Sequence, residues 1–191
     1  MKICIYGASS NRLEPRYYED ARRFGTLLAE RSHSLIFGGG AGGLMGACAE
    51  GASGAEIIGV APRFFDEPGI LYPGCTRMIY TETMRERKAI MEEEAEAFVV
   101  LPGGIGTFEE FFETLTLKQL GRYDKPIALL NTLGCYDAMQ ELLRRSAETG
   151  FMSANCLKLY ALCDSPAAAL DYVENADRLT GGISRLEDYA K

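Results

Sequence analysis

Histidine is nearly missing from this chain: His33 is the only one in 191 residues. A histidine-rich metal site, or a Ser–His or Cys–His nucleophile pair, therefore has at most one candidate, at the end of a predicted helix, and those chemistries are set aside. Closely spaced cysteine pairs are absent too. Cys4, Cys48, Cys75, Cys135, Cys156 and Cys163 form no CxxC, and most stand in apolar stretches typical of reduced, buried thiols. No apolar run approaches the roughly 20 residues needed to cross a bilayer. The longest, such as AFVVL and IALL, are strand-sized, and MKICIYG at the start carries no secretory leader. A cytoplasmic protein with no membrane partner and no metal is expected. Positive charge is also scarce: 20 Lys and Arg against 27 Asp and Glu give a formal net charge of −7. A nucleic-acid backbone demands a basic face, so no nucleic-acid partner is expected and any phosphate belongs to a small molecule. The NTPase loop GxxxxGK[ST] does not occur, which disfavours NTP hydrolysis of that type.

What the chain does have is alternation. KICIY, SLIFG, EIIGVAP, RMIYTE, AFVVLP, PIALLN and LKLYALC read as strands, and between them helical spacing runs over 16–31, 43–53, 83–95, 107–120, 136–149 and 166–175. Strands that are continuous apolar runs belong to parallel sheets covered by helices on both faces. The expected fold is α/β: a Rossmann-like three-layer sandwich with a mainly parallel sheet of about seven strands. It forms a single domain over 1–177 with a tail over 178–191. The turn-rich segment 63–75, RFFDEPGILYPGC, is the longest irregular stretch and is expected to cover a site or a partner.

Glycines gather at the strand ends where such folds bind ligands. GASSN (7–11) follows the first strand, GGGAGGLMG (38–46) the second, and PGGIGT (102–107) the fifth. Each alone is equally well read as a tight turn. Together, with the hydroxyls of Ser9, Ser10 and Thr107, they point to a phosphate cradle that includes Gly39 and Gly40. Gly38, Gly40 and Gly43 fit GxGxxG, but no ribose-binding acid ends the next strand, so a dinucleotide is disfavoured.

Two charged stretches stand beside the cradle. In MRERKAIM, Arg87 and Lys88 share a helical face with Met84 and Met91, and an arginine on an apolar stripe must find an anion or snorkel. Glu109 and Glu110 are expected in the first turn of the next helix, within a stripe of Phe108, Phe111, Phe112 and Leu115. If the fourth and fifth strands are near neighbours, Arg87 and Glu110 meet next to the phosphate. A carboxylate there could activate water or stabilise a cationic sugar, chemistry suited to glycosidic cleavage of a nucleotide.

MRERK followed by PGGIGTFEE resembles the LOG ("lonely guy") family of cytokinin riboside 5′-monophosphate phosphoribohydrolases, whose pattern is PGGxGTxxE with an upstream Arg-Lys. GGGAGGLMG and DKPIALLN are similar to further family segments, and the resemblance runs from about 1 to 173. It implies a homodimer that hydrolyses a nucleoside 5′-monophosphate, AMP or an N6-substituted form, to free base and ribose 5-phosphate, without cofactor or metal. By motif position Arg87 and Glu110 would be catalytic, and Lys88, Gly103, Gly104, Ile105, Gly106, Thr107 and Thr116 would contact the nucleotide. A lysine decarboxylase label attached to such proteins is not supported by any electron-sink site in the sequence. The alternative, a nucleotide or molybdopterin-cofactor carrier, needs the cradle but not the charged pair.

Overall fold

The computed structural model describes residues 1–176, so the tail expected over 178–191 lies outside the described residues. The chain alternates strands and helices: β1 (Lys2–Tyr6), α1 (Pro15–Glu30), β2 (Ser34–Phe37), α2 (Gly43–Gly51), β3 (Ile57–Pro62), β4 (Arg77–Thr81), α3 (Met84–Glu94), β5 (Ala97–Val100), α4 (Ile105–Gln119), β6 (Ile127–Leu130), α5 (Asp137–Glu148), β7 (Ala161–Cys163) and α6 (Pro166–Asn175). The strands form one 7-stranded sheet in the order β4-β3-β2-β1-β5-β6-β7. Every pairing in it is parallel.

Side chains that alternate along a strand fall on opposite faces, and here both faces are dry. Ile3, Ile5, Leu35, Phe37 and Val99 join a core with α1, α2 and α6. Their neighbours Cys4, Tyr6, Ile36, Phe98 and Val100 join a second core with Met91 of α3, Phe111 and Leu115 of α4 and Leu143 of α5. This is the three-layer sandwich the apolar runs imply. The seventh strand is shorter than LKLYALC suggests, because Ala154–Lys158 coils into a 3-10 turn and only Ala161–Cys163 pairs with β6.

Helices α1 and α2 lie unusually close. A Cβ on Gly25 would stand 2.0 Å from the Cys48 carbonyl oxygen, and one on Gly51 would stand 2.1 Å from that of Arg22. Each helix thus offers a glycine to the other's backbone, so the two pack as one slab.

The chain runs outward from β1 to β4, then returns to place β5 against β1. Loops diverge at such a reversal, and a crevice opens beyond the carboxyl ends of the strands. β4 and β5 are therefore not neighbours, contrary to the expectation that linked Arg87 to Glu110; β3, β2 and β1 stand between them. α3 makes up the distance by crossing the sheet face from the β4 edge, and its arginine reaches β3 on the way, where Nε of Arg87 donates to the Val60 carbonyl at 3.2 Å.

Candidate active site

A cavity of about 730 Å³ occupies the crevice. Its walls come from the loops after β1 and β2, the segment after β3, and the starts of α3 and α4. Its charged floor is Arg87 with Glu110, 7% and 9% exposed, joined by a 3.1 Å bond from Nη1 to Oε1. Burial holds the Glu110 carboxyl above its ordinary range while the Arg87 charge pulls it back.

α4 begins at Ile105, earlier than expected, with Gly104 as its cap residue. Glu109 and Glu110 consequently lie in the second turn, and Arg87 rather than the helix dipole is the partner of Glu110. The shift leaves the first turn to Ile105, Gly106 and Thr107, whose amides have no partner within the helix. Nothing lies within 4 Å of where a Cβ would stand on Gly104 or Gly106, and neither has positive φ. No neighbour in the fold requires a glycine at either position. Both line the cavity, so a ligand can approach their backbone closely, as a phosphate at a helix N-terminus does. Ser9 faces the same space, and its loop is tied to this one by the Ala8 amide donating to the Pro102 carbonyl at 3.0 Å.

The second glycine loop is built differently. The amides at the start of α2 are taken by the chain itself: that of Gly43 donates to Asn11 Oδ1 at 2.8 Å and that of Leu44 to the Ala8 carbonyl at 2.8 Å. Gly43 has φ +64°, and a Cβ on it would meet the Ala8 oxygen at 2.2 Å. Gly43 fits loop to loop, so the last glycine of a GxGxxG spacing that reads as a pyrophosphate site is here spent on packing.

Of the residues singled out by sequence, Ser9, Gly40, Gly104, Ile105, Gly106, Thr107, Arg87 and Glu110 line the cavity together. Gly39 does not; it is buried with φ +75° and its carbonyl accepts from the Tyr72 amide at 2.8 Å. Gly103 sits behind the wall, where a Cβ would stand 2.1 Å from Thr107 Oγ1. Lys88 turns away to Glu109 and, at 2.5 Å, to Glu113. Thr116 is exposed near the far end of α4, outside the cavity lining. Phe112 is 36% exposed instead of buried. The segment 63–75, expected to cover a site or a partner, lines the cavity with Phe65, Ile70 and Leu71; sequence reasoning missed that these form an apolar wall with Met45 and Met84. Its signal was present in RFFDEPGIL, whose aromatics had no helix or strand to bury them. That segment is clipped in place by a bridge between Leu71 and Gly40 and by the Ala41 amide donating to the Ile70 carbonyl.

Glu92 of α3 is half-buried in the α3–α4 seam, its carboxyl pushed up to about 7 by burial and by the charge of Glu113. A carboxyl raised in the folded state binds its proton more tightly there, so its favourable contribution is present at low pH and is lost as pH climbs from 4.5 to about 7. Glu92→Gln, which mimics the protonated form, should raise the melting temperature at pH 8 by several degrees and change it far less at pH 5. Equal shifts at the two pH values would refute this account.

Fold and cavity together define a Rossmann-like α/β protein that sets the first turn of α4 beside a buried arginine–carboxylate pair. Comparison narrows the class. A family model described as possible lysine decarboxylase matches residues 45–173. The chain is 33% identical over 175 residues to cytokinin riboside 5′-monophosphate phosphoribohydrolase LOG2 of Arabidopsis thaliana, covering 91% of this chain and 82% of that protein. It is 31% identical over 189 residues to the probable enzyme LOGL3 of Oryza sativa subsp. japonica, covering 96% and 90%. It also superposes on the molybdenum cofactor carrier protein of Chlamydomonas reinhardtii with a TM-score of 0.70 and 21% identity over 91% of this chain and 95% of that one, a likeness of fold alone. The chain belongs to the LOG family of phosphoribohydrolases.

Proposed function

We propose that this protein hydrolyses the N-glycosidic bond of a nucleoside 5′-monophosphate, AMP or an N6-substituted relative, to free base and ribose 5-phosphate. The observation that carries the reading is the Arg87–Glu110 pair buried in the cavity floor beside the open first turn of α4. A 5′-phosphate docks on the amides of Ile105, Gly106 and Thr107 and the Ser9 hydroxyl, which sets the ribose over the pair. As the C1′–N bond breaks, its electrons leave with the base, which takes up a proton. The ribose gains positive character, which the Glu110 carboxylate offsets. Water adds to C1′ and gives up a proton, for which Glu110 is the nearest ionised acceptor on the floor. Arg87 holds that carboxylate in place, and the apolar wall receives the base.

The relatives named as phosphoribohydrolases support this reading at high coverage. A decarboxylase built on a lysine Schiff base is not supported, because among the described residues no lysine lines the cavity. A carrier would need the cradle without the charged pair. Six free cysteines fit a reducing cytoplasm, and among the described residues no helix is long and apolar enough to cross a membrane. A homodimer belongs to the proposal as well: Ile105 is 88% exposed at the cavity mouth, Met84 and Phe112 are exposed on α3 and α4, and Leu120 is exposed at the C-cap of α4.

The test is to incubate the purified protein with a panel of nucleoside 5′-monophosphates and the matching nucleosides, following release of base and ribose 5-phosphate. Turnover of the monophosphates alone is expected. Tight binding of a nucleotide with no base released would establish the carrier instead.

A further inference from the structure

We infer that Gly38 is a positioning residue for the reaction: its missing Cβ is the seat of the Arg87 guanidinium. Three elements hold that group. Nε donates to Val60 of β3, Nη1 donates to Glu110 of α4, and Nη2 lies against Gly38 in the loop after β2. A Cβ on Gly38 would stand 2.0 Å from Nη2, 3.0 Å from Cζ and 3.3 Å from Nε, so the guanidinium fills the space a side chain would take. Backbone conformation does not explain the glycine, because Gly38 is absent from the positive-φ residues whereas Gly39 and Gly43 are among them. Helix packing does not explain it either, since the nearest atoms to the built Cβ are all from Arg87.

The first glycine of GGGAGG thus serves the charged pair rather than the phosphate. An alanine there must push a planar, buried guanidinium off two hydrogen bonds at once, and the displaced group cannot reach Glu110 in the same geometry. The effect on rate rests on the hydrolase reading above; the contact itself does not. Displacing a reacting constellation by about 1 Å costs on the order of 10²-fold in rate.

The experiment is a double-mutant cycle of Gly38→Ala and Arg87→Ala, read by kcat, KM and thermal melting. With Arg87 present, Gly38→Ala should lower kcat on the order of 10²-fold with KM for the monophosphate nearly unchanged, and should lower the melting temperature. With Arg87 removed, the same substitution should leave both the residual rate and the melting temperature where they were. If Gly38→Ala alone fails to fold, the double variant should fold like Arg87→Ala. Equal losses in both backgrounds, or a raised KM with kcat intact, would overturn the assignment. Should the wild type release no base at all, the hydrolase reading fails, while the melting cycle still decides whether Gly38 seats Arg87.

Discussion

Glu110→Gln should lower kcat by roughly 10²- to 10⁴-fold, the range a positioned acid–base group contributes, while the protein stays folded. The amide keeps an oxygen for the 3.1 Å bond from Arg87 Nη1 and is nearly the same shape, so little repacking follows. What it loses is the negative charge that faces a developing sugar cation and the ability to take a proton. The pH profile makes the role specific. Because burial holds the Glu110 carboxyl above 4.5, activity of the wild type should rise with pH through a midpoint above that value. The residual activity of the variant should not show this limb. A variant within a few-fold of wild type across the pH range would remove Glu110 from the reaction.

Arg87→Ala should cost both rate and stability. Removing one member of a buried pair strands the other, a loss of about 3–5 kcal/mol in comparable cases. Here the stranded group is Glu110, whose carboxyl then loses the charge that pulled it down and rises further. The sign follows from linkage: a carboxyl raised in the folded state is favourable when protonated and is penalised as pH climbs past its unfolded value. Denaturant unfolding should therefore show the variant most destabilised at pH 8 and closer to wild type at pH 5. Activity at pH 8 should be lost together with it. A variant as stable as wild type at pH 8 would mean that Arg87 is not what compensates Glu110.

The sheet and its layers were legible because their signal is local. Runs such as AFVV and IALL declare strands buried on both faces, and the two cores divide their side chains by simple alternation. The pair Arg87–Glu110 was legible for a different reason: a guanidinium on an apolar helix stripe has to be answered by an anion somewhere. The route between them was not, since strand order is a property of the whole chain and β4 lies three strands from where adjacency would put it. Glycine roles were legible only as a set. Spacing alone does not tell Gly104 and Gly106, which have open space before them, from Gly43, pressed on Ala8, or Gly38, pressed on Arg87. Lys88 and Thr116 lie outside the cavity lining, because a place in a motif does not fix which way a helical side chain turns; Lys88 goes to Glu109 and Glu113. The apolar wall was hidden because its parts come from α2, α3 and an irregular segment that the Leu71–Gly40 bridge and the Ala41–Ile70 hydrogen bond bring together.

The glycine-mediated contact of α1 with α2 has a mechanical corollary. Two helices whose backbones touch at Gly25 and Gly51 cannot slide without a carbonyl striking a Cα, so the loops that spring from them behave as a fixed jaw. The stretch around Ile70 is tied to that jaw by the Leu71–Gly40 bridge and the Ala41 amide, and the Arg87 guanidinium leans on it at Gly38, so the apolar lining and the charged floor are braced by one slab.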